Sequence, residues 1–164
     1  MIFSSILIAN RGEIACRIIQ TAHQIGIHCI AVYVDDDRES PYVKMADQSI
    51  RLPDGGYLDG KEIIRAAKES GAQAIHPGYG FLSENAAFAR TVVKEGLIWI
   101  GPSAHAISIM GDKLKAKELA EKASVPTLPM TSKSKDANKI GYPLLIKAAA
   151  GGGGKGMRIV HKSK

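Results

Sequence analysis

The chain has 164 residues, 45% apolar and 23% charged, with 22 Lys plus Arg against 16 Asp plus Glu and a formal charge of +6. These proportions exclude a disordered polymer, and no apolar run approaches the roughly 18 residues that a membrane-spanning helix needs. The charge is uneven: residues 1–110 hold 10 basic and 12 acidic side chains, whereas residues 111–164 hold 12 and 4.

The first segment, ending at Ala9-Asn10, has no basic n-region and reads as a strand over Ile6–Ala9, not a secretory signal. Ile14, Ile18, Ala22 and Ile25 recur at helical spacing over residues 13–25, with Gly26 as the stop. His28–Val34 reads as a second strand and Gln48–Leu52 as a third, joined by a short helix. A helix over 59–70 closed by Gly71, a strand over Gln73–His76, a helix over 84–95 and a strand over Leu97–Ile100 follow. This alternation predicts an α/β fold, an open parallel sheet with right-handed crossovers and helices on both faces. Ligands of such sheets sit beyond the carboxyl ends of the strands, so the loops starting at Asn10, Asp35, His76 and Gly101 are expected to share one edge. Cys16 and Cys29 lie in apolar surroundings and read as buried free thiols of a reducing compartment.

Three motifs on this edge invite chemistry. Asn10-Arg-Gly-Glu13 stands where a dinucleotide fold carries G-x-G-x-x-G, but one glycine is too few for the pyrophosphate fingerprint. Asp35-Asp36-Asp37 then reads as a solvated turn in preference to a ribose-binding group. His76-Pro-Gly-Tyr-Gly-Phe-Leu-Ser-Glu-Asn85 gathers His76, Tyr79, Glu84 and Asn85 at a strand's carboxyl end, with Ser83 as candidate cap of the next helix.

The basic segment opens with a helix over Asp112–Ala123, capped by Asp112, whose Lys113, Lys115 and Lys117 oppose the helix dipole and read equally as a solvated basic face or as partners of an anion. Residues 124–143, with Pro126, Pro129 and Pro143, read as a linker or domain boundary. Pro143–Ala150 and Met157–His161 are strand-like and flank Gly151-Gly-Gly-Gly-Lys-Gly156, a hairpin whose bare amides a phosphate can approach. Lys147 reads as an inward-pointing charge in mid-strand, costly without an anionic partner. The Walker spacing fails, since Ala149 lies five before Gly154 and Gly156 follows Lys155.

In this order, Asn10-Arg-Gly-Glu-Ile-Ala15, the motif His76–Asn85, Gly101-Pro-Ser103, Met110-Gly-Asp-Lys113, and Lys147-Ala148 with Gly151–Met157 also occur in biotin carboxylases. The chain resembles the amino-terminal part of that subunit or domain in acetyl-CoA, propionyl-CoA, methylcrotonyl-CoA or pyruvate carboxylases. The resemblance implies an ATP-grasp ligase that uses ATP with Mg2+ (or Mn2+) to activate bicarbonate as carboxyphosphate and then carboxylates protein-linked biotin. It implies a Rossmann-like domain over 1–110, a connecting helix over 111–125, and the start of the ATP-grasp lid over 126–164. By motif, Lys113 and Lys147 would contact ATP phosphates, Gly153 and Gly154 would close over them, and Met157 would line the adenine pocket. Tyr79 and Glu84 would lie near bicarbonate and biotin.

The family's metal ligands, catalytic base and biotin and bicarbonate arginines match no position here, so these 164 residues are expected to hold no catalytic or metal-binding residue and to be inactive alone. Implied partners are a biotin carboxyl carrier and a carboxyltransferase, in a homodimeric or larger parent of the bacterial cytoplasm or mitochondrial matrix. Another ATP-grasp ligase, such as a carbamoyl-phosphate synthetase, would share the loop logic but not the string His76–Asn85. A nucleic-acid module built on the basic segment would have only Tyr142 to stack on bases, and no membrane or nucleic-acid partner is expected.

Overall fold

The computed structural model of the chain describes residues 2–53, 55–147 and 156–162. They form two compact units, Met1–Ser108 and Ile109–Lys164.

The first unit is a five-stranded sheet of β1 (Ser5–Ile8), β2 (His28–Tyr33), β3 (Gln48–Arg51), β4 (Ala74–His76) and β5 (Ile98–Trp99). Its spatial order is β3-β2-β1-β4-β5 and every pairing is parallel. The alternation of side chains along each strand divides the core into two layers. Leu7, Ile30, Val32 and Ile75 pack beneath α3 (Gly60–Glu69) and α4 (Ala86–Lys94) through Ile63, Ala67, Phe88 and Val92. Ile6, Ile8, Cys29 and Ala31 face α1 (Gly12–Gln24) and α2 (Pro41–Met45) through Ile18, Ile19 and Tyr42. Helices therefore cover both faces, as the strand–helix alternation requires. Strand order reverses at β1, whose neighbours β2 and β4 continue the chain in opposite directions across the sheet, and this is the topological switch point.

Local signals explain the boundaries. Asp59 caps α3 by accepting hydrogen bonds from the Lys61 and Glu62 amides, and Gly71 follows its end. Asn85, not the expected Ser83, caps α4 by accepting from the Phe88 amide at 2.9 Å, so this helix begins two residues later than its periodicity suggests. The residues after Gly101-Pro102 form α5 (Ala104–Met110), a helix that periodicity did not reveal because it is two turns long and buries only Ile107.

The second unit contains α6 (Lys113–Lys122), the short α7 (Ala137–Ile140) and an antiparallel hairpin of β6 (Leu144–Ile146) and β7 (Arg158–Val160). None of its described residues is fully buried. Leu145, Ile146 and Ile159 are exposed on the hairpin, which has no covering layer among the described residues.

Candidate functional site

The carboxyl edge of the sheet is organised by Asn10, two residues beyond the end of β1 and 3% exposed. Its amide Nδ2 donates to the Pro77 carbonyl at 2.7 Å and to the Tyr79 carbonyl at 2.8 Å, while its Oδ1 accepts from the Arg11 amide at 2.9 Å. One side chain thus bridges the loops on either side of the switch point, in the place where a dinucleotide fold leaves room for phosphates. Gly78 makes the approach possible. Its φ is +65°, and a Cβ there would stand 2.6 Å from Asn10 Nδ2, inside contact distance.

Beside Asn10, the Arg11 guanidinium forks onto Asp37, with Nε donating to Oδ2 at 2.6 Å and Nη2 to Oδ1 at 2.5 Å. Tyr57 donates to the same Oδ2 at 2.5 Å, so the 2.8 Å contact between the two phenols is donated by Tyr42. The Arg11 guanidinium, and after it Tyr57, hold the Asp37 carboxyl below the usual carboxylate range despite burial. Burial raises both phenols, which stay protonated. Of the acidic run, Asp35 and Asp36 are exposed, with Asp35 paired to Arg51, but Asp37 is buried. The solvated-turn reading fails for Asp37, because a bidentate cation and a phenol replace its water. Its carboxylate is thereby spent on the protein rather than on a ribose. The signal that could have revealed this, Arg11 after a strand, was in view; Tyr57 gave none.

The loop after β4 is fastened to the same network. Phe81, at φ +40°, stacks on Tyr57 with ring centroids 5.4 Å apart, and Leu82 is buried beside it. A bulky residue in the left-handed region is strained, and the stacking and the burial of its neighbour offset that cost. His76, half-buried at the end of β4, accepts the Gly78 amide on Nδ1 at 3.0 Å. Burial, with Arg17 nearby, lowers its pKa and favours the neutral ring. What this anchoring presents to solvent is Tyr79 and Glu84. Tyr79 is 60% exposed and its hydroxyl donates to the Glu13 carboxylate in the first turn of α1, a bond that raises the phenol pKa. Glu84 is exposed in the turn before α4.

In the second unit, Asp112 caps α6, accepting from the Leu114 and Lys115 amides at 3.0 and 3.1 Å. Lys113 is the first helical residue and is exposed. Lys117 pairs with Glu121 at 2.9 Å and Lys115 lies 3.8 Å from Asp112. Lys147 follows the last residue of β6 and is exposed, not inward-pointing in mid-strand. The desolvation argument for an anionic partner therefore does not apply to it. The register pairs Ile146 with Arg158, and carried one step further sets Lys147 across from Met157, itself 41% exposed. The candidate phosphate residues Gly153 and Gly154, with Lys155 between the strands, lie outside the described residues.

Comparison with known proteins bears on both units. Residues 2–107 match the biotin carboxylase N-terminal domain, and residues 112–164 match the carbamoyl-phosphate synthase L chain ATP binding domain. The chain is 51% identical over 173 aligned residues to the mitochondrial methylcrotonoyl-CoA carboxylase subunit alpha of Dictyostelium discoideum, covering 98% of this chain and 25% of that protein. It is 50% identical to the human mitochondrial propionyl-CoA carboxylase alpha chain, covering 96% of this chain and 23% of the relative. It thus spans about a quarter of the length of these relatives. Among solved structures, a biotin carboxylase from Campylobacter jejuni in complex with a β,γ-ATP analogue superposes with a TM-score of 0.92 at 44% identity, over 98% of this chain and 39% of that one. The biotin carboxylase domain dimer of Hydrogenobacter thermophilus 2-oxoglutarate carboxylase, with MgADP, ADP and bicarbonate, gives 0.91 at 43%, over 98% and 38%.

Proposed function

The chain belongs to the biotin carboxylase family, and from that premise we propose that it supplies the amino-terminal domain and the beginning of the ATP-binding domain of a biotin-dependent carboxylase. The parent enzyme transfers the γ-phosphoryl group of ATP to bicarbonate, forming carboxyphosphate and ADP, and carboxylates biotin on a carrier. A carboxyltransferase then uses the carboxybiotin. The family match over residues 2–107, at identities near one half, carries this reading.

In this reading residues 1–110 are the Rossmann-like domain, 111–125 the connecting helix and 126–164 the start of the lid. Lys113 and Lys147 are compact exposed cations suited to phosphate oxygens, and charge neutralisation with positioning is what phosphoryl transfer asks of a protein. Met157, across from Lys147, offers an apolar surface to the adenine ring. Gly153 and Gly154 close over the phosphates. Tyr79 and Glu84 stand at the bicarbonate and biotin end, with Tyr79 a protonated donor through its bond to Glu13.

The residues described do not fit a magnesium ion in the second unit. Asp112 is engaged as a cap, Glu121 with Lys117, and Asp136 with Lys139, and Glu118 joins no group of ligand-type side chains close enough to share an ion among the described residues. The metal ligands of the parent are assigned to other segments, and the 164 residues alone do not turn over ATP. Tyr79 and Glu84 alone give no enclosed biotin site either. A homodimeric parent, as in the Hydrogenobacter relative, and a reducing compartment such as the cytoplasm or mitochondrial matrix complete the reading. No helix among the described residues is long and apolar enough to cross a membrane.

Nucleotide binding tests the assignment. Titration of the full-length protein with ATP is expected to show Lys147→Ala weakening binding at least tenfold, with Lys139→Ala unchanged. Equal affinities for wild type and Lys147→Ala would remove Lys147 from the phosphate site.

A further inference from the structure

A second cluster of ligand-type side chains lies at the amino end of β2, away from the loops that follow β1 and β4. His23 comes from the last turn of α1, His28 and Cys29 open β2, and Asp47 immediately precedes β3. His23 Nε2 is 3.0 Å and His28 Nδ1 3.7 Å from Asp47 Oδ2. The same oxygen accepts the Cys29 amide at 2.7 Å, and the Asp47 amide donates back to the Cys29 carbonyl at 3.0 Å. Main-chain bonds therefore fix the spacing of Cys29 and Asp47. His23 Nε2, Cys29 Sγ and an Asp47 oxygen lie within 4.8 Å of one another.

We propose that His23, Cys29 and Asp47, with solvent as the fourth ligand, form a binding site for a divalent cation of the zinc class. An imidazole, a thiolate and a carboxylate are donor types that a tetrahedral zinc ion takes, and a magnesium or calcium ion would not select them. With metal–ligand bonds of about 2.0–2.3 Å, neighbouring donors of one ion stand about 3.3–3.6 Å apart. The 3.0 Å separation between His23 Nε2 and Asp47 Oδ2 lies just below that range, and the sulfur must draw in by about 1 Å from the widest separation that the cluster allows.

His23 presents Nε2 to the ion with its ring proton on Nδ1, and the Cys29 thiol releases its proton to solvent as sulfur coordinates. Cys29 is buried beneath the cluster, whereas His23, His28 and Asp47 are partly exposed, so the ion enters from solvent and meets the sulfur last. Such an ion would staple α1, β2 and β3 at the sheet edge opposite the candidate carboxylase site.

Cobalt is a suitable probe, because a thiolate-to-cobalt charge-transfer band reports the sulfur directly. Chelator-treated protein titrated with Co2+ is expected to bind one equivalent at this site with that band, and Zn2+ is expected to displace it. His23→Ala and Asp47→Asn, at exposed positions that leave the fold intact, should each weaken Co2+ binding at least tenfold, and Cys29→Ala should abolish the band. Absence of the band in the wild type, or affinities unchanged in both His23→Ala and Asp47→Asn, would overturn the site even if Cys29→Ala fails to fold. Neither outcome depends on whether the protein carboxylates biotin.

Discussion

Asn10 satisfies two carbonyls and one amide with a single buried side chain. Its replacement by Ala leaves the Pro77 and Tyr79 carbonyls without that donor. Asn10→Ala is therefore expected to lower unfolding free energy by about 2–4 kcal/mol in urea titration. Gly78→Ala should act in the same direction, because the added carbon meets Asn10 and the backbone there has positive φ. Acid tests two other residues. The folded state holds the His76 pKa below its usual value, so the unfolded chain takes up the proton first. Stability is then full above about pH 6.5 and declines as pH falls below it. The folded state also holds Asp37 below the carboxylate range, and its contribution is present above about pH 4 and lost as pH falls further, through the depressed pKa. Urea midpoints from pH 8 to 3 should show both declines. His76→Gln should reduce the upper one and Asp37→Asn the lower, to which other paired carboxylates also contribute.

At the level of elements, cap and surface pair separate clearly. Asp59→Ala removes the side-chain acceptor for two amides of α3 and should cost about 1 kcal/mol by thermal or urea unfolding. Lys68→Ala breaks an exposed pair with Glu95 and should change stability by less than about 0.5 kcal/mol. The strands and long helices were legible because their apolar periods are local: Ile6 to Ala9, or Ile14 to Ala22, need no knowledge of the rest of the chain. The motif His76–Asn85 was legible for the same reason. The Arg11–Asp37–Tyr57 network was not, because its members come from three loops and follow no period. Lys147 was misread because β6 is only three residues long and has no layer over it, so alternation there carries no inside and outside.

For the whole molecule, burial is concentrated in one unit. Among the described residues every buried one lies at or before Ile107, and none is found from Ile109 onward. Opening free energy follows buried contacts. Amides of β1, β2 and β4 in the isolated 164-residue chain should accordingly exchange with deuterium at least about a hundredfold more slowly than those of α6 and the β6–β7 hairpin. Comparable protection in both units would contradict this distribution. The knot at the switch point has a different consequence, for anyone recombining this domain with a relative. Asn10, Asp37, Tyr57 and Phe81 come from four separate stretches of chain yet meet in one arrangement. A chimera joined anywhere between positions 11 and 80 inherits part of that arrangement from each parent, whereas a crossover after Ser103 transplants it intact.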